Sequence, residues 1–331
     1  MAPHRALAMS IGFGCERLSG VALSARHNSG MSKHKPAAVS KSQDLGTQLD
    51  LRPGQSIELL KALHILTREG KINQDSRRKL KQVYHLFQFI EKLLKELPDS
   101  ETGPTLADHG AGKSYLGFII YDLFFKALGK GRIYGIETRS ELVESSKALA
   151  QRLGFDRMQF LNLSVAESAH SDALPEQIDV VTALHACDTA TDDAMAFGLQ
   201  KKAKYVVLVP CCQAELARAL NQNKALNLQR TPLAELWRHP LHTREMGSQL
   251  TNVLRCLYLE AMGYQVTVTE LVGWEHSMKN ELILAKYTGQ KKRSAAERLQ
   301  ALLKEFGVEE LLAQRYPLGQ STPLNHDSKL D

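Results

Sequence analysis

Between residues 104 and 209, short apolar runs alternate with longer stretches in which apolar residues recur every three or four positions. The runs, each predicted to be a strand, are Thr105–Ala107, Arg132–Ile136, Met158–Leu161, Ile178–Leu184 and Tyr205–Val209. The periodic stretches predict helices at Ser114–Leu128, Glu141–Leu153 and Asp192–Gln200. Parallel strands need long crossovers, usually helices, so this alternation predicts an α/β fold with a doubly wound parallel sheet.

The regular alternation ends after the fifth run. We expect an insertion at Leu216–Gly247, a helix at Gln249–Met262, and two closing strands at Tyr264–Leu271 and Glu281–Tyr287. The closing strands are expected to pair antiparallel, which brings the sheet to seven strands.

The flanking regions are expected to form separate parts of the chain. Residues 41–103 read as a helical extension whose second helix is capped by Asp75 or Ser76, residues 104–289 as the main domain, and residues 290–331 as a helix near Ala295–Phe306 with a polar tail. Residues 1–40 are poor in acids. They are expected to be a disordered leader or an over-extended start before Met31, with an organelle transit peptide as the alternative.

Composition restricts the class of protein. The chain has 331 residues, 43% of them hydrophobic, and a formal net charge of +6. No apolar run approaches the roughly 20 residues of a membrane span, so we expect no membrane partner. Five cysteines, two of them adjacent, do not resemble an extracellular disulfide framework. We therefore expect a cytoplasmic protein, or an imported one if the leader is genuine, and the oligomeric state stays open.

The turn after the first strand carries the most informative residues. Asp108 ends the strand, Gly110 and Gly112 lie in the turn, and Lys113 precedes an apolar helix. In an open parallel sheet, ligands bind beyond the carboxyl ends of the strands. A carboxylate there would repel a pyrophosphate but suits the cationic amino end of a methionine moiety. The spacing also lacks the four-residue spacer of a nucleotide-triphosphate loop.

Polar residues at the next two strand ends support a bound nucleoside. Glu137 ends the second strand, where an acid can accept both ribose hydroxyls. At the third strand end, Asn162 or Ser164 is available for the adenine, and Ser164 as a plain turn residue is the alternative. Together these residues predict S-adenosyl-L-methionine as the cofactor.

Three segments together resemble a known group of enzymes. They are residues 108–113 (Asp-His-Gly-Ala-Gly-Lys), residues 184–192 (Leu-His-Ala-Cys-Asp-Thr-Ala-Thr-Asp) and residues 209–213 (Val-Pro-Cys-Cys-Gln). The set resembles a branch of class I S-adenosylmethionine-dependent methyltransferases that includes the tRNA 2′-O-methyltransferases with a Cys-Cys-His signature. The resemblance covers about residues 75–290. It implies a Rossmann-like methyltransferase sheet of seven strands and an RNA substrate, although Asp188 and Gln213 replace the Gly and His typical of that branch.

The ends of strands four and five are expected to face the methyl donor. His185 is a candidate base that could also contact the cofactor, or a structural histidine. Asp188 either orients His185, binds substrate or caps the following helix. Cys211 and Cys212 are candidate nucleophiles, but buried cysteine is commonly a small apolar residue. Zinc binding by Cys187, Cys211, Cys212 and His185 is disfavoured because adjacent cysteines rarely ligate one ion well, so we expect no metal.

Two basic clusters are the expected RNA contacts. Arg77, Arg78, Lys79 and Lys81 begin the second helix of the extension, and Arg230, Arg238 and Arg244 lie in the insertion. Two other functions stay open: methyl transfer to a protein or a small molecule, with these residues as a solvated surface, and binding of S-adenosylmethionine without catalysis.

The cysteines generate the first testable prediction. If they are structural, Cys211→Ser and Cys212→Ser should each retain methyl transfer within about tenfold, because no bond forms to sulfur. An RNA methylation assay measures the loss. A thousandfold or larger loss, together with a trapped adduct on 5-fluoropyrimidine RNA, would contradict the structural role.

Overall fold

The sheet contains seven strands, whose bounds in the computed structural model lie close to the expected ones. They are β1 (Thr105–His109), β2 (Arg132–Glu137), β3 (Met158–Asn162), β4 (Val180–Leu184), β5 (Tyr205–Val209), β6 (Tyr264–Glu270) and β7 (Glu281–Tyr287). The structure describes residues 51–184, 186, 188–210, 214–223, 232–271, 281–313 and 315–318. The expected leader, residues 1–40, lies outside these ranges.

The strand order is β3-β2-β1-β4-β5-β7-β6. Strands β1 to β5 pair in parallel, whereas β7 runs antiparallel to both β5 and β6. The order reverses between β1 and β4, so the sheet is doubly wound. The predicted Rossmann-like methyltransferase sheet, with its closing antiparallel pair, is confirmed.

The helices of the described residues lie on both sides of this sheet. They are α1 (Ile57–Ala62), α2 (Gln74–Glu96), α3 (Tyr115–Ile120), α4 (Ser140–Leu153), α5 (Val165–His170), α6 (Thr189–Gln200), α7 (Glu215–Asn223), α8 (Pro240–Ala261), α9 (Arg293–Glu305) and α10 (Glu309–Leu312). A π-helical turn, Tyr121–Phe125, and a last turn, Lys126–Leu128, continue α3. A 3₁₀ helix, Pro232–Trp237, precedes α8.

Alternate strand residues supply two hydrophobic cores, one on each face. Leu106, Val180 and Val207 pack in a core with apolar residues of α1 to α4. Their neighbours Ala107, Val181 and Leu208 pack in a second core with residues of α6 to α10. Successive strand side chains point to opposite faces, so a sheet buried on both faces needs such continuous apolar runs. The helical extension thus shares its core with the sheet.

Two details of the helices differ from expectation. Helix α2 is capped by Asn73, whose side chain accepts from the Ser76 N–H at 2.7 Å, and not by Asp75 or Ser76. Helix α8 begins at Pro240 and not at Gln249. Proline is favoured at the first position of a helix because its fixed φ suits the helix and its missing N–H is not needed there. The expected insertion is therefore partly helical, and Arg244 lies within α8.

Within the described ranges, no helix is both long enough and apolar enough to cross a bilayer.

Candidate active site

Asp108 lies at the carboxyl end of β1 and is almost fully buried. Its Oδ1 accepts a hydrogen bond from Thr182 Oγ1 of β4 at 2.9 Å. Burial raises the pKa of this carboxyl to about 7, although hydrogen bonds from Thr182 and the Gly117 backbone lower it. A buried carboxylate needs a positive partner. The position therefore suits either a proton or a cationic group.

The turn that follows Asp108 depends on its two glycines. Gly110 and Gly112 have φ of +66° and +57°, a region that side chains other than glycine rarely adopt. A Cβ at either position would meet no atom closer than 3.7 Å, so the backbone conformation, and not crowding, requires glycine. Lys113 is exposed. The turn therefore presents open backbone to a ligand.

Glu137 ends β2 beside this turn and is buried. Its Oε2 accepts from the Gly112 N–H at 2.8 Å, and Arg139 contributes its backbone N–H and two guanidinium hydrogen bonds. Burial by itself would raise the pKa of Glu137, but these hydrogen bonds outweigh burial and lower the pKa to about 2. The carboxylate is charged, and the side chain of its partner Arg139 is 59% exposed.

Asn162 and Ser164, at the end of β3, have partners within the protein. The Asn162 amide donates to the Glu137 and Thr138 carbonyl oxygens at 3.1 and 2.8 Å. Ser164 caps α5, and its hydroxyl exchanges hydrogen bonds with Glu167 in a capping box. Their contact with an adenine remains a prediction.

Two buried polar side chains at the turn have no hydrogen-bond partner. Both ring nitrogens of His109 and the hydroxyl of Ser114 are unpaired, together with one atom each of Gln55 and Arg157 among the described residues. Burial lowers the pKa of His109 to about 4, although the negative charge of Glu137 raises it, so the ring is neutral at physiological pH. Unpaired buried groups cost about 1–3 kcal/mol each, which a hydrogen-bonding ligand or water would offset. Sequence reasoning missed His109, whose only signal is its place directly after Asp108.

The carboxyl ends of β1 and β4 lie close together. A Cβ on Gly110 would lie 3.7 Å from the Ala186 Cβ, in the loop after β4. In the same loop, Asp188 does not cap its own helix, α6. Its carboxylate accepts from the Ala214 and Glu215 N–H groups at 3.1 and 3.2 Å, so it caps α7 instead.

Several predicted residues lie outside the described ranges, namely His185, Cys187, Cys211, Cys212, Gln213 and Arg230. Among the residues that the structure does describe, no group of three or more His, Cys, Asp or Glu side chains is arranged to hold a metal ion. The roles predicted for these residues stay predictions.

Part of the chain matches a known protein family. Residues 78–219, from α2 to α7, match a family model described as a methyltransferase domain. This match agrees with the predicted methyltransferase, whereas the bounds predicted for the domain, residues 104–289, remain a prediction. The narrower assignment to the branch with the Cys-Cys-His signature remains a prediction.

Individual relatives are distant. A glutathione S-transferase C-terminal domain-containing protein from Xenopus laevis is 24% identical over 234 residues, which cover 65% of this chain and 35% of that protein. The chain thus spans about a third of the length of this curated relative.

Solved methyltransferase structures resemble this chain only with low TM-scores. Magnesium protoporphyrin IX methyltransferase from Synechocystis PCC 6803, solved with bound SAH, is 13% identical with a TM-score of 0.40, covering 75% of this chain and 95% of that one. An rRNA methylase from Streptococcus thermophilus is 10% identical with a TM-score of 0.35, covering 62% and 93%. These scores are too low to transfer a substrate or a site. The strand pairing itself establishes the fold.

The raised pKa of Asp108 predicts how stability depends on pH. In the ligand-free protein the folded carboxyl keeps its proton up to about pH 7, whereas the unfolded one loses it near 3.8. Stability contributed by this group is therefore lost as pH rises through that window, by about 2 kcal/mol between pH 5 and pH 7. Asp108→Asn should remove this loss, as measured by denaturant unfolding at several pH values. The exposed control Glu144→Gln should follow the wild type, and identical pH profiles for wild type and Asp108→Asn would refute the assignment.

Proposed function

We propose that this chain is an S-adenosylmethionine-dependent methyltransferase that acts on RNA. The observation that carries the first part is the pair of buried strand-end carboxylates, Asp108 and Glu137, on either side of a two-glycine turn. The methyltransferase-domain match over residues 78–219 supports the same reading independently.

The residues present fit this cofactor. Burial keeps the Asp108 carboxyl protonated up to about pH 7. A bound methionine moiety would replace that proton, because its cationic amino group can pair with the carboxylate. The charged Glu137 would accept the ribose hydroxyls once Arg139 moves aside. The unpaired groups of His109 and Ser114 lie at the same turn and would gain partners from a ligand or its ordered water. When bound, the cofactor supplies an electrophilic methyl group.

On the acceptor side we propose that the loops after β4 and β5 orient the nucleophile. His185 is our candidate for taking the acceptor proton, because an imidazole titrates near neutrality. Ala186, the described neighbour of His185, lies against the Gly110 turn, which supports a position next to the cofactor.

The direction of α2 supports contact between RNA and its basic first turns. At the far end of the helix, Glu96 accepts hydrogen bonds from Tyr205 Oη and Lys286 Nζ, both at 2.8 Å. Tyr205 begins β5, so this end of α2 lies at the amino edge of the sheet. Arg78 precedes Glu96 by 18 residues, roughly 27 Å of helix, whereas a five-residue strand spans roughly 17 Å. Arg77, Arg78, Lys79 and Lys81 are therefore expected near the ligand-binding edge.

The direction of α8 supports the same placement for the second cluster. The helix ends at Ala261, just before β6 begins at the amino edge. Helix α8 packs on the face of the sheet opposite to α2. Arg244 lies near its start, and Arg238 lies two residues before it. Two basic segments would thus flank the ligand-binding edge of the sheet, one on each face.

One observation favours the alternative, a protein or small-molecule substrate. Arg78, Arg238 and Arg244 each lie within 4 Å of a neighbouring carboxylate, Asp75, Glu235 and Glu245 respectively. Such exposed pairs contribute only about 0–1 kcal/mol. Phosphates can therefore replace these carboxylates as partners, and we keep RNA as the proposed substrate.

The cofactor proposal predicts a specific loss of binding. S-adenosylmethionine or S-adenosylhomocysteine should bind the purified protein, and Asp108→Ala or Glu137→Ala should weaken binding by roughly ten- to a hundredfold, because each removes a charge-assisted hydrogen bond. Titration calorimetry at pH 7.5 measures this, with the exposed Glu144→Ala as control. If the wild-type protein does not bind the cofactor, or if the folded Asp108→Ala and Glu137→Ala variants bind it with unchanged affinity, the cofactor proposal is wrong.

The RNA proposal predicts a salt-dependent affinity that localises to one end of α2. The double change Arg78→Gln and Lys79→Gln should weaken binding of labelled tRNA and lower the log–log salt slope by about 1 to 2, since each phosphate contact contributes about 0.7 to 0.9. Lys92→Gln with Lys95→Gln removes the same charge from the other end of the same helix and should change neither. Equal effects of the two pairs, or salt-independent binding, would make a protein or small molecule the preferred substrate.

A further inference from the structure

The backbone of Asp188 adopts a conformation that a non-glycine residue rarely takes. Its φ of +52° and ψ of −118° match the first central position of a type II′ turn, which glycine favours. Such a conformation costs about 1–3 kcal/mol and persists only where the surroundings enforce it. Asp188 lies in the loop after β4, one residue beyond Cys187 and three beyond His185.

A fully buried arginine of α8 holds this backbone. Arg255 Nη2 donates to the Asp188 carbonyl oxygen at 2.9 Å, and its Nε and Nη2 form a bidentate pair with Asp192 at 2.8 Å each. Its Nη1 donates to Asn252 at 3.0 Å. The Thr191 hydroxyl fixes the same loop by donating to the Ala186 carbonyl oxygen at 2.6 Å.

The C-terminal segment completes this buried network. Tyr316 Oη donates to Asp192 Oδ1 at 2.9 Å, and Arg315 forms a bidentate pair with Glu215, the first residue of α7. The Asp188 carboxylate meanwhile accepts from the start of α7 and from Arg218 at 3.1 Å. One network thus joins the loop after β4 to the helix that follows Cys211 and Cys212 in the chain.

Stability alone does not explain a buried ion pair of this kind. Replacing such pairs by well-packed apolar residues is often neutral or stabilising, whereas their geometry restricts the conformation of what they hold. Here the held group is a strained main chain next to the candidate acceptor-side residues.

We propose that Arg255 is a positioning residue for methyl transfer: through Asp188 and Asp192, and with Tyr316, it fixes the loop that carries His185 and Cys187. This inference rests on the proposed function. Methyl transfer requires the acceptor to be aligned with the donor, and a misplacement of about 1 Å can lower the rate about a hundredfold. Asp108 and Glu137 form their hydrogen bonds with Thr182, Gly112 and Arg139, which lie outside this network, so we expect cofactor affinity to be retained when the network is broken.

Arg255→Lys tests the proposal because it keeps the charge but loses the fork that reaches both Asp188 and Asp192. With RNA as substrate, kcat should fall about a hundredfold, while S-adenosylhomocysteine affinity should stay within about threefold of wild type. The matched control Arg298→Lys changes an exposed arginine of α9 and should leave both quantities unaltered. Unchanged kcat in the folded variant, or a parallel loss of cofactor affinity, overturns the proposal.

Tyr316→Phe removes a single hydroxyl and is the second variant if Arg255→Lys does not fold. It should lower kcat about tenfold with unchanged cofactor affinity, and a folded Tyr316→Phe with wild-type kcat overturns the proposal.

Hydrogen exchange separates this idea from the proposed function, since it needs no activity. Both variants should exchange faster in peptides covering residues 185–192 and 211–218, and not in those covering β1 to β3. Unchanged exchange in both loops rejects the positioning role even in an active enzyme. Faster exchange with no methyl transfer by wild type rejects the function and retains the loop restraint.

Discussion

Parallel pairing of β1 with β2 on one side and with β4 on the other is the constraint on which the rest of the structure depends. Parallel strands cannot be joined by tight turns, so helices must return the chain along both faces. The same pairing brings the carboxyl ends of five strands to one edge. Asp108, Glu137 and Ala186, in the loop after β4, lie at this edge because of topology and not because they are close in sequence.

The two carboxylates at this edge are held in opposite electrostatic states. Asp108 has one hydroxyl donor and one backbone donor, so burial dominates and its pKa rises to about 7. Glu137 is also buried, but Arg139 and the Gly112 N–H outweigh burial and its pKa falls to about 2. One carboxyl therefore needs a cation to become charged, whereas the other is a ready acceptor. This difference suits S-adenosylmethionine, which has a cationic amino group at one end and hydrogen-bond-donating ribose hydroxyls at the other.

The strands and the strand-end acids could be predicted from sequence because both faces of the sheet are buried. Each strand is then a short apolar run, and a polar residue such as Asp108 or Glu137 marks its end. Contacts between distant segments carry no such local signal. Arg255 and Asp192 are 63 positions apart, and nothing in the local pattern of α8 indicates that Arg255 is buried. Asp188 caps α7 instead of its own helix for the same reason, since its partners come from tertiary packing.

We propose that methyl transfer from S-adenosylmethionine to RNA takes place at this edge of the sheet. The most direct measurement incubates the protein and methyl-labelled cofactor with total RNA and total protein from cells that lack it. Label is expected in the RNA fraction with wild-type protein, and roughly ten- to a hundredfold less of it with Asp108→Ala when the cofactor is subsaturating. Label in the protein fraction alone would contradict the RNA substrate, and label in neither fraction would contradict methyl transfer itself.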